Sequence, residues 1–150
     1  MRENVVGKKF RSQIDKKTAI LRAVYILIVN SAGQVFVTEP RDTVFEKQWG
    51  CSAAGLVRSG ETALEAAKRT LRREAGLDAE PVFLGERFQD FEGIKRFMNV
   101  FYIKSEKGPK VNEADAEKGF WMAAERVEEE ADKFYPTFLA AFKILKERLK

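Results

Sequence analysis

The chain has 150 residues, 45% hydrophobic and 33% charged, with twelve phenylalanines. That fits one ordinary domain with enough apolar material for a packed core, and it excludes both a disordered chain and two independently folded domains. Lys and Arg total 27 against 23 Asp and Glu, a net charge of +4; this leans toward anionic ligands but lacks the concentrated basic stripe that nucleic-acid binding needs.

There is one cysteine, Cys51, and no histidine. An internal disulfide, a His/Cys zinc site and a His-dependent dyad or triad are therefore excluded. Any metal must be held by oxygen atoms, which points to a hard cation such as Mg2+ or Mn2+. The longest apolar run, Ala23 to Val29, is too short to cross a bilayer, and the charged start Met1 to Lys17 lacks the apolar centre of a signal peptide. The expectation is a cytoplasmic protein without a membrane partner.

Residues 1–20 read as a polar N-terminal arm and residues 21–150 as the domain. Ala23 to Asn30 is β-branched and apolar on both faces, predicting a central strand, and Ser31-Ala32-Gly33 turns the chain into a second strand, Gln34 to Thr38, closed by Pro40. Arg41 to Gln48 is a loop, and Trp49 to Val57 is a third strand leading into a glycine turn. Glu61 to Ala75 is helical, with Ala63, Leu64, Ala67 and Leu71 forming an apolar stripe, and Gly76 stops it. Pro81 to Phe91 and Arg96 to Lys104 are two strands joined at Glu92-Gly93, and their aromatics Phe88, Phe91, Phe97, Phe101 and Tyr102 are assigned mostly to the core, with one or two left as candidates to line a cleft and stack on a base. Lys107-Gly108-Pro109 is a turn, Phe120 to Met122 a short apolar piece, and Ala124 to Asp132 a short helix. Thr137 to Leu149 is an amphipathic closing helix after Pro136. This order implies an α/β fold with helices packed on a mixed sheet.

Gly55, Glu61, Arg69, Leu71, Glu74, Gly76 and Leu77 stand at the spacing G-x5-E-x7-R-E-U-x-E-E-x-G-U, with U aliphatic, and this segment resembles the Nudix box. Seven of nine defined positions match; Thr70 and Arg73 stand where the family has glutamates. Arg22, Arg41 and Ser52-Ala53-Ala54-Gly55 fit the surrounding pattern, so the resemblance spans Leu21 to Leu145. It implies a Nudix-like α/β/α sandwich, with a mixed β-sheet between helices. It also implies that Glu61 and Arg69 are a structural pair framed by Gly55 and Gly76, and that the activity is Mg2+- or Mn2+-dependent hydrolysis of nucleoside diphosphates linked to another moiety. A homodimer is a further possibility.

Positions 70, 73 and 74 lie three and four apart, so they share a face of the helix. Three carboxylates there would hold Mg2+ against a diphosphate and help deprotonate an attacking water. Here a hydroxyl, a guanidinium and one carboxylate leave the face formally neutral, and metal affinity is expected to be poor. Thr70 reads as a tolerated surface residue. Arg73 is solvated, pairs with Glu74 or Glu65, or meets a phosphate directly in the metal's place.

Relatives in the resembled family supply a further carboxylate from a loop or strand facing the helix. Of Glu113, Asp115 and Glu117, Asp115 has the preferred spacing, six residues before Trp121. Glu74 and Asp115 are thus the candidate catalytic and metal-binding pair. Arg22, Arg41 and Arg73 are the candidate ligand-binding cations, with Trp49 packing at the cleft rim.

The reading is a weak hydrolase or non-catalytic binder of a small anionic ligand, a nucleotide or other diphosphate. The alternative is a fully active diphosphohydrolase using Glu74 with Asp115 or neighbouring carboxylates. An isopentenyl-diphosphate isomerase, which shares the implied fold, is set aside: its cysteine position holds Ala54, its histidine ligands are absent, and Cys51 lies three residues too early.

Overall fold

The structure, a computed structural model, describes residues 20–40, 49–51, 53–91, 93–108 and 116–148. The N-terminal arm, apart from Ile20, lies outside them, as do the Arg41–Gln48 loop and the acidic stretch from 112 to 115.

Strand β1 (Ile20–Val29) is the centre of the sheet. Along one edge it pairs in parallel with β6 (Ile94–Lys104) over its full length. The other edge is shared: Ala23 to Ile26 pair antiparallel with β4 (Ala53–Leu56), while Val29 pairs with Val35 of β2 (Gln34–Pro40). The third strand expected over 49–57 is therefore two short strands with different partners, because β3 (Gly50–Cys51) pairs with β2 and not with β1. Beyond β6 lies β5 (Val82–Phe91), antiparallel. The apolar piece around Phe120 is the end of a full strand, β7 (Ala116–Ala123), which pairs antiparallel with β2. β2 itself runs through Pro40, with an irregular register at Glu39/Pro40, the disruption a residue without an N–H imposes.

The unbroken apolar run of β1 follows from cover on both faces. Val24, Ile26 and Ile28 point toward helix α1 (Ala63–Ala75), against Ala66, Ala67, Leu71 and Ala75. Ala23, Tyr25, Leu27 and Val29 point the other way, into a core with Phe138, Phe142 and Leu145 of α3 (Pro136–Arg148). Leu71 is fully buried, and removing such a side chain from water contributes about 1.5–3 kcal/mol. The short helix α2 (Ala124–Glu129) and a 3-10 turn (Ala131–Lys133) lead into α3. The result is a mixed open sheet with helices on both faces.

Not all the aromatics of β5 and β6 are core. Phe101 is buried, but Phe88 is 48% and Phe97 36% exposed, paired edge-to-face with each other at 5.3 Å. The reason is lateral: α1 lies over β4 and β1, so the far side of the sheet is left partly open.

Candidate functional site

Helix α1 starts at Ala63, two residues after the expected start at Glu61, and this shapes the site. Thr62 is the N-cap: its hydroxyl accepts from the Glu65 N–H at 3.1 Å while Glu65 accepts from the Thr62 N–H at 2.8 Å. Such a reciprocal box satisfies two of the orphan donors of the first turn. Glu61 is thereby kept outside the helix and free to turn back. At the other end Gly76 takes φ 68, a left-handed conformation open to glycine at little cost, and its N–H bonds to the Arg72 carbonyl.

Glu61 and Arg69 pair in a fork. Arg69 Nε donates to Glu61 Oε2 at 2.7 Å and Nη2 to Oε1 at 3.0 Å, and the same Nη2 reaches the Leu56 carbonyl at 2.9 Å. Glu61 Oε1 also accepts from the Arg58 N–H at 2.8 Å. The two side chains are only 19% and 22% exposed. The Arg69 hydrogen bonds hold the Glu61 carboxyl below its ordinary range, against the opposing effect of burial, and the Arg69 pKa is raised in turn. The pair fastens the loop between β4 and α1 to the helix.

The next residue overturns the surface assignment. Thr70 is fully buried, and its Oγ1 is without a hydrogen-bond partner among the described residues. It packs on Gly55, which faces α1 beside Val24, its cross-strand partner. A Cβ at residue 55 would lie 2.8 Å from Thr70 Oγ1 and 3.3 Å from its Cγ2. Glycine is thus required at 55 by close approach of strand and helix. The helical spacing that places 70, 73 and 74 on a common side does not decide their depth.

Arg73 and Glu74 lie further out. The Arg73 side chain is 54% exposed and Glu74 21%, with Arg73 Nη2 3.9 Å from Glu74 Oε1. A contact this long and this exposed contributes little stability. Arg22 is exposed on the same sheet face, two residues before Val24, and its carbonyl accepts from the Val57 N–H at 2.9 Å. The fold thus places Arg22, Gly55, Glu61, Arg69, Thr70, Arg73 and Glu74 on one side of the sheet. Arg41, Glu113 and Asp115 lie outside the described residues, as does the side chain of Glu117.

Trp49 packs edge-to-face on Phe120 and Phe134, each at 5.4 Å, with the Lys133 ammonium 5.6 Å from its ring centre. Cys51 Sγ approaches the Ile26 carbonyl at 3.6 Å, and burial pushes its thiol up to about 12. A cysteine so protonated is a poor nucleophile.

The donor set on α1 does not fit a divalent cation. Among the described residues no three or more Asp, Glu, His or Cys side chains gather where they could hold a metal. Glu74 supplies one carboxylate, and the Arg73 guanidinium 3.9 Å from it repels a divalent ion placed there. Sequence reading missed a further polar cluster, Tyr25, Gln89 and Arg96, on the opposite sheet face; its only signal was polar residues at strand positions alternating with core ones. No helix among the described residues is long and apolar enough to cross a membrane.

Comparison with known proteins agrees with this geometry. A Nudix hydrolase of Deinococcus radiodurans is 29% identical over 133 residues, covering 84% of this chain and 77% of its own length. A Nudix hydrolase of Nostoc is 31% identical over 124 residues, covering 79% and 73%. Among solved structures, a MutT protein from Methanosarcina mazei shares the fold with a TM-score of 0.71 at 19% identity, covering 92% of this chain and 100% of that one. A C. elegans Ap4A hydrolase, solved as a binary complex, matches with a TM-score of 0.64 at 16% identity, covering 85% and 96%. The profile of the NUDIX domain matches residues 19–142, and with the sheet, the helix and the Glu61–Arg69 pair in place the chain belongs to the Nudix family.

Proposed function

We propose that this member of the family binds a nucleotide or other small diphosphate and hydrolyses it weakly or not at all. The family as a whole acts on nucleotide and diphosphate substrates, generally with divalent cations. The observation that carries the reading is the Arg73 guanidinium, exposed and 3.9 Å from the Glu74 carboxylate. Where a metal would neutralise phosphate charge, this chain offers a cation of its own, whose planar fork suits bidentate phosphate contact. The same charge repels a divalent ion placed beside Glu74. Arg22 on the same face, and Arg41, are the further cations of this reading.

Calorimetry with ADP in EDTA tests it. Binding is expected without metal, and Arg73→Glu is expected to weaken it at least about tenfold, the scale of one charge-assisted hydrogen bond to phosphate. Binding that requires Mg2+ would overturn the proposal. So would phosphate release from nucleoside diphosphate derivatives in Mg2+ or Mn2+ that disappears in Glu74→Gln, which would establish the active hydrolase.

A further inference from the structure

On the sheet face that carries α1, the part lying beyond β1 presents an exposed apolar strip. Phe88 of β5 and Phe97 of β6 are direct cross-strand partners, and Phe97 pairs in turn with Arg22 of β1. By strand alternation they share the face of Phe101, against which Phe83 packs edge-to-face at 5.4 Å. Phe83 is itself 55% exposed. Glu86 and Asp90 stand two residues to either side of Phe88 on this same face of the edge strand, and both are exposed. The cations Lys95 and Arg22 lie nearer the centre of the sheet. An apolar strip rimmed by charged groups marks an interaction surface, and its acidic outer edge suits a segment that is both apolar and basic.

The first 19 residues supply both kinds of group. Six Lys or Arg against two acids, Glu3 and Asp15, give them a net charge of +4, the whole of the chain's excess, so that residues 20–150 are formally neutral. Among these charges Val6, Phe10 and Ile14 recur at every fourth residue, the spacing that lines apolar groups up along one side of a helical segment. The segment also ends beside the strip. It enters β1 at Ile20, which pairs with Lys95, itself the partner of Asp90, and the next row on this face is Arg22, Phe97 and Phe88. Phe88 is thus roughly 12 Å from Ile20, two strand spacings across and two residues along, while the six residues from Ile14 to Ile20 span up to about 20 Å.

We propose that residues 1–19 dock along this strip, with Val6, Phe10 and Ile14 against Phe83, Phe88 and Phe97 and the basic neighbours beside Glu86 and Asp90. The strip is then a docking surface for the chain's own basic segment, and it stands independently of the ligand reading above. The same chain is favoured over a second copy because a short tether holds the segment at a high effective concentration.

The test replaces Phe10 in the full chain by the photoreactive p-benzoylphenylalanine and maps the cross-links formed at low-micromolar concentration by mass spectrometry. Links within one chain are expected, concentrated on β5 and β6. In parallel, tryptic removal of the segment is followed by intact mass. Phe10→Ser, which leaves the sheet untouched, and Phe88→Ser, at a half-exposed position, are each expected to speed that removal at least about fivefold, because apolar contact is lost and cleavage tracks the undocked fraction. Links scattered over the whole surface, links confined to other elements, or cleavage unchanged by Phe10→Ser would overturn the docking. Links that form only between chains, as covalent dimers, would overturn it as an intramolecular contact and make the strip an interface between copies.

Discussion

Thr70→Val isolates the consequence of a buried hydroxyl with no partner. Thr70 is fully buried, its Oγ1 is unpaired, and its side chain fills the space that glycine leaves open at position 55. Valine has nearly the same shape and the same branching at Cβ, so the helical rotamer and the contact with Gly55 are kept while the polar atom is removed. Burying a hydroxyl without a hydrogen bond costs about 1–3 kcal/mol, and replacing it by an apolar group of the same shape recovers much of that. The expected gain is about 1–2 kcal/mol, which for a chain of this length raises the melting temperature by about 2–6 °C. Urea denaturation at neutral pH, followed by tryptophan fluorescence, gives the free energy directly, with an unchanged m-value showing that compactness is preserved. A Thr70→Val chain no more stable than wild type would refute the reasoning, because it would mean that the hydroxyl has a bonding partner.

Other expectations follow from the same region and its neighbours. The Glu61 carboxyl is depressed in the folded chain, so its pairing with Arg69 stabilises fully above the unfolded carboxylate value near ~4.3 and is lost as pH falls through the lower folded value. The stability difference between wild type and Glu61→Gln should therefore be constant from neutral pH to about 5 and shrink below about 4, read from urea melts across that window; a difference growing with acidity would contradict the assignment. Cys51, with its thiol pushed up to about 12, should react with iodoacetamide at pH 8 far more slowly in the native than in the denatured chain, and equal labelling rates would refute the raised thiol pKa. Thr70→Glu with Arg73→Glu should be less stable than wild type in EDTA, since a carboxylate then occupies a buried position, and should regain stability in Mg2+. A site with a millimolar dissociation constant would yield about 1.4 kcal/mol at 10 mM Mg2+; absence of any Mg2+ effect on the variant's melt would show that the two substitutions do not restore a metal site.

Local chemistry was legible in the sequence where a residue's neighbours along the chain decide its state. The two-sided apolar run of β1, the glycine after α1 and the box spacing from Gly55 to Leu77 are of this kind, because strand alternation, helix capping and a helix–loop ion pair act over a few residues. The mixed sheet with flanking helices followed from the order of those elements.

Depth and assembly were decided only by the tertiary structure. Thr70 reads as surface on the helix by itself and is interior because β4 brings Gly55 against it. Which of the β5 and β6 aromatics leave the core was not legible in their strands; Phe88 and Phe97 are partly exposed because α1 lies over β4 and β1. Tyr25 and Arg96, 71 positions apart, become partners only through the parallel pairing of β1 with β6. Periodicity fixes the direction in which a side chain points, whereas burial depends on what the rest of the chain places there.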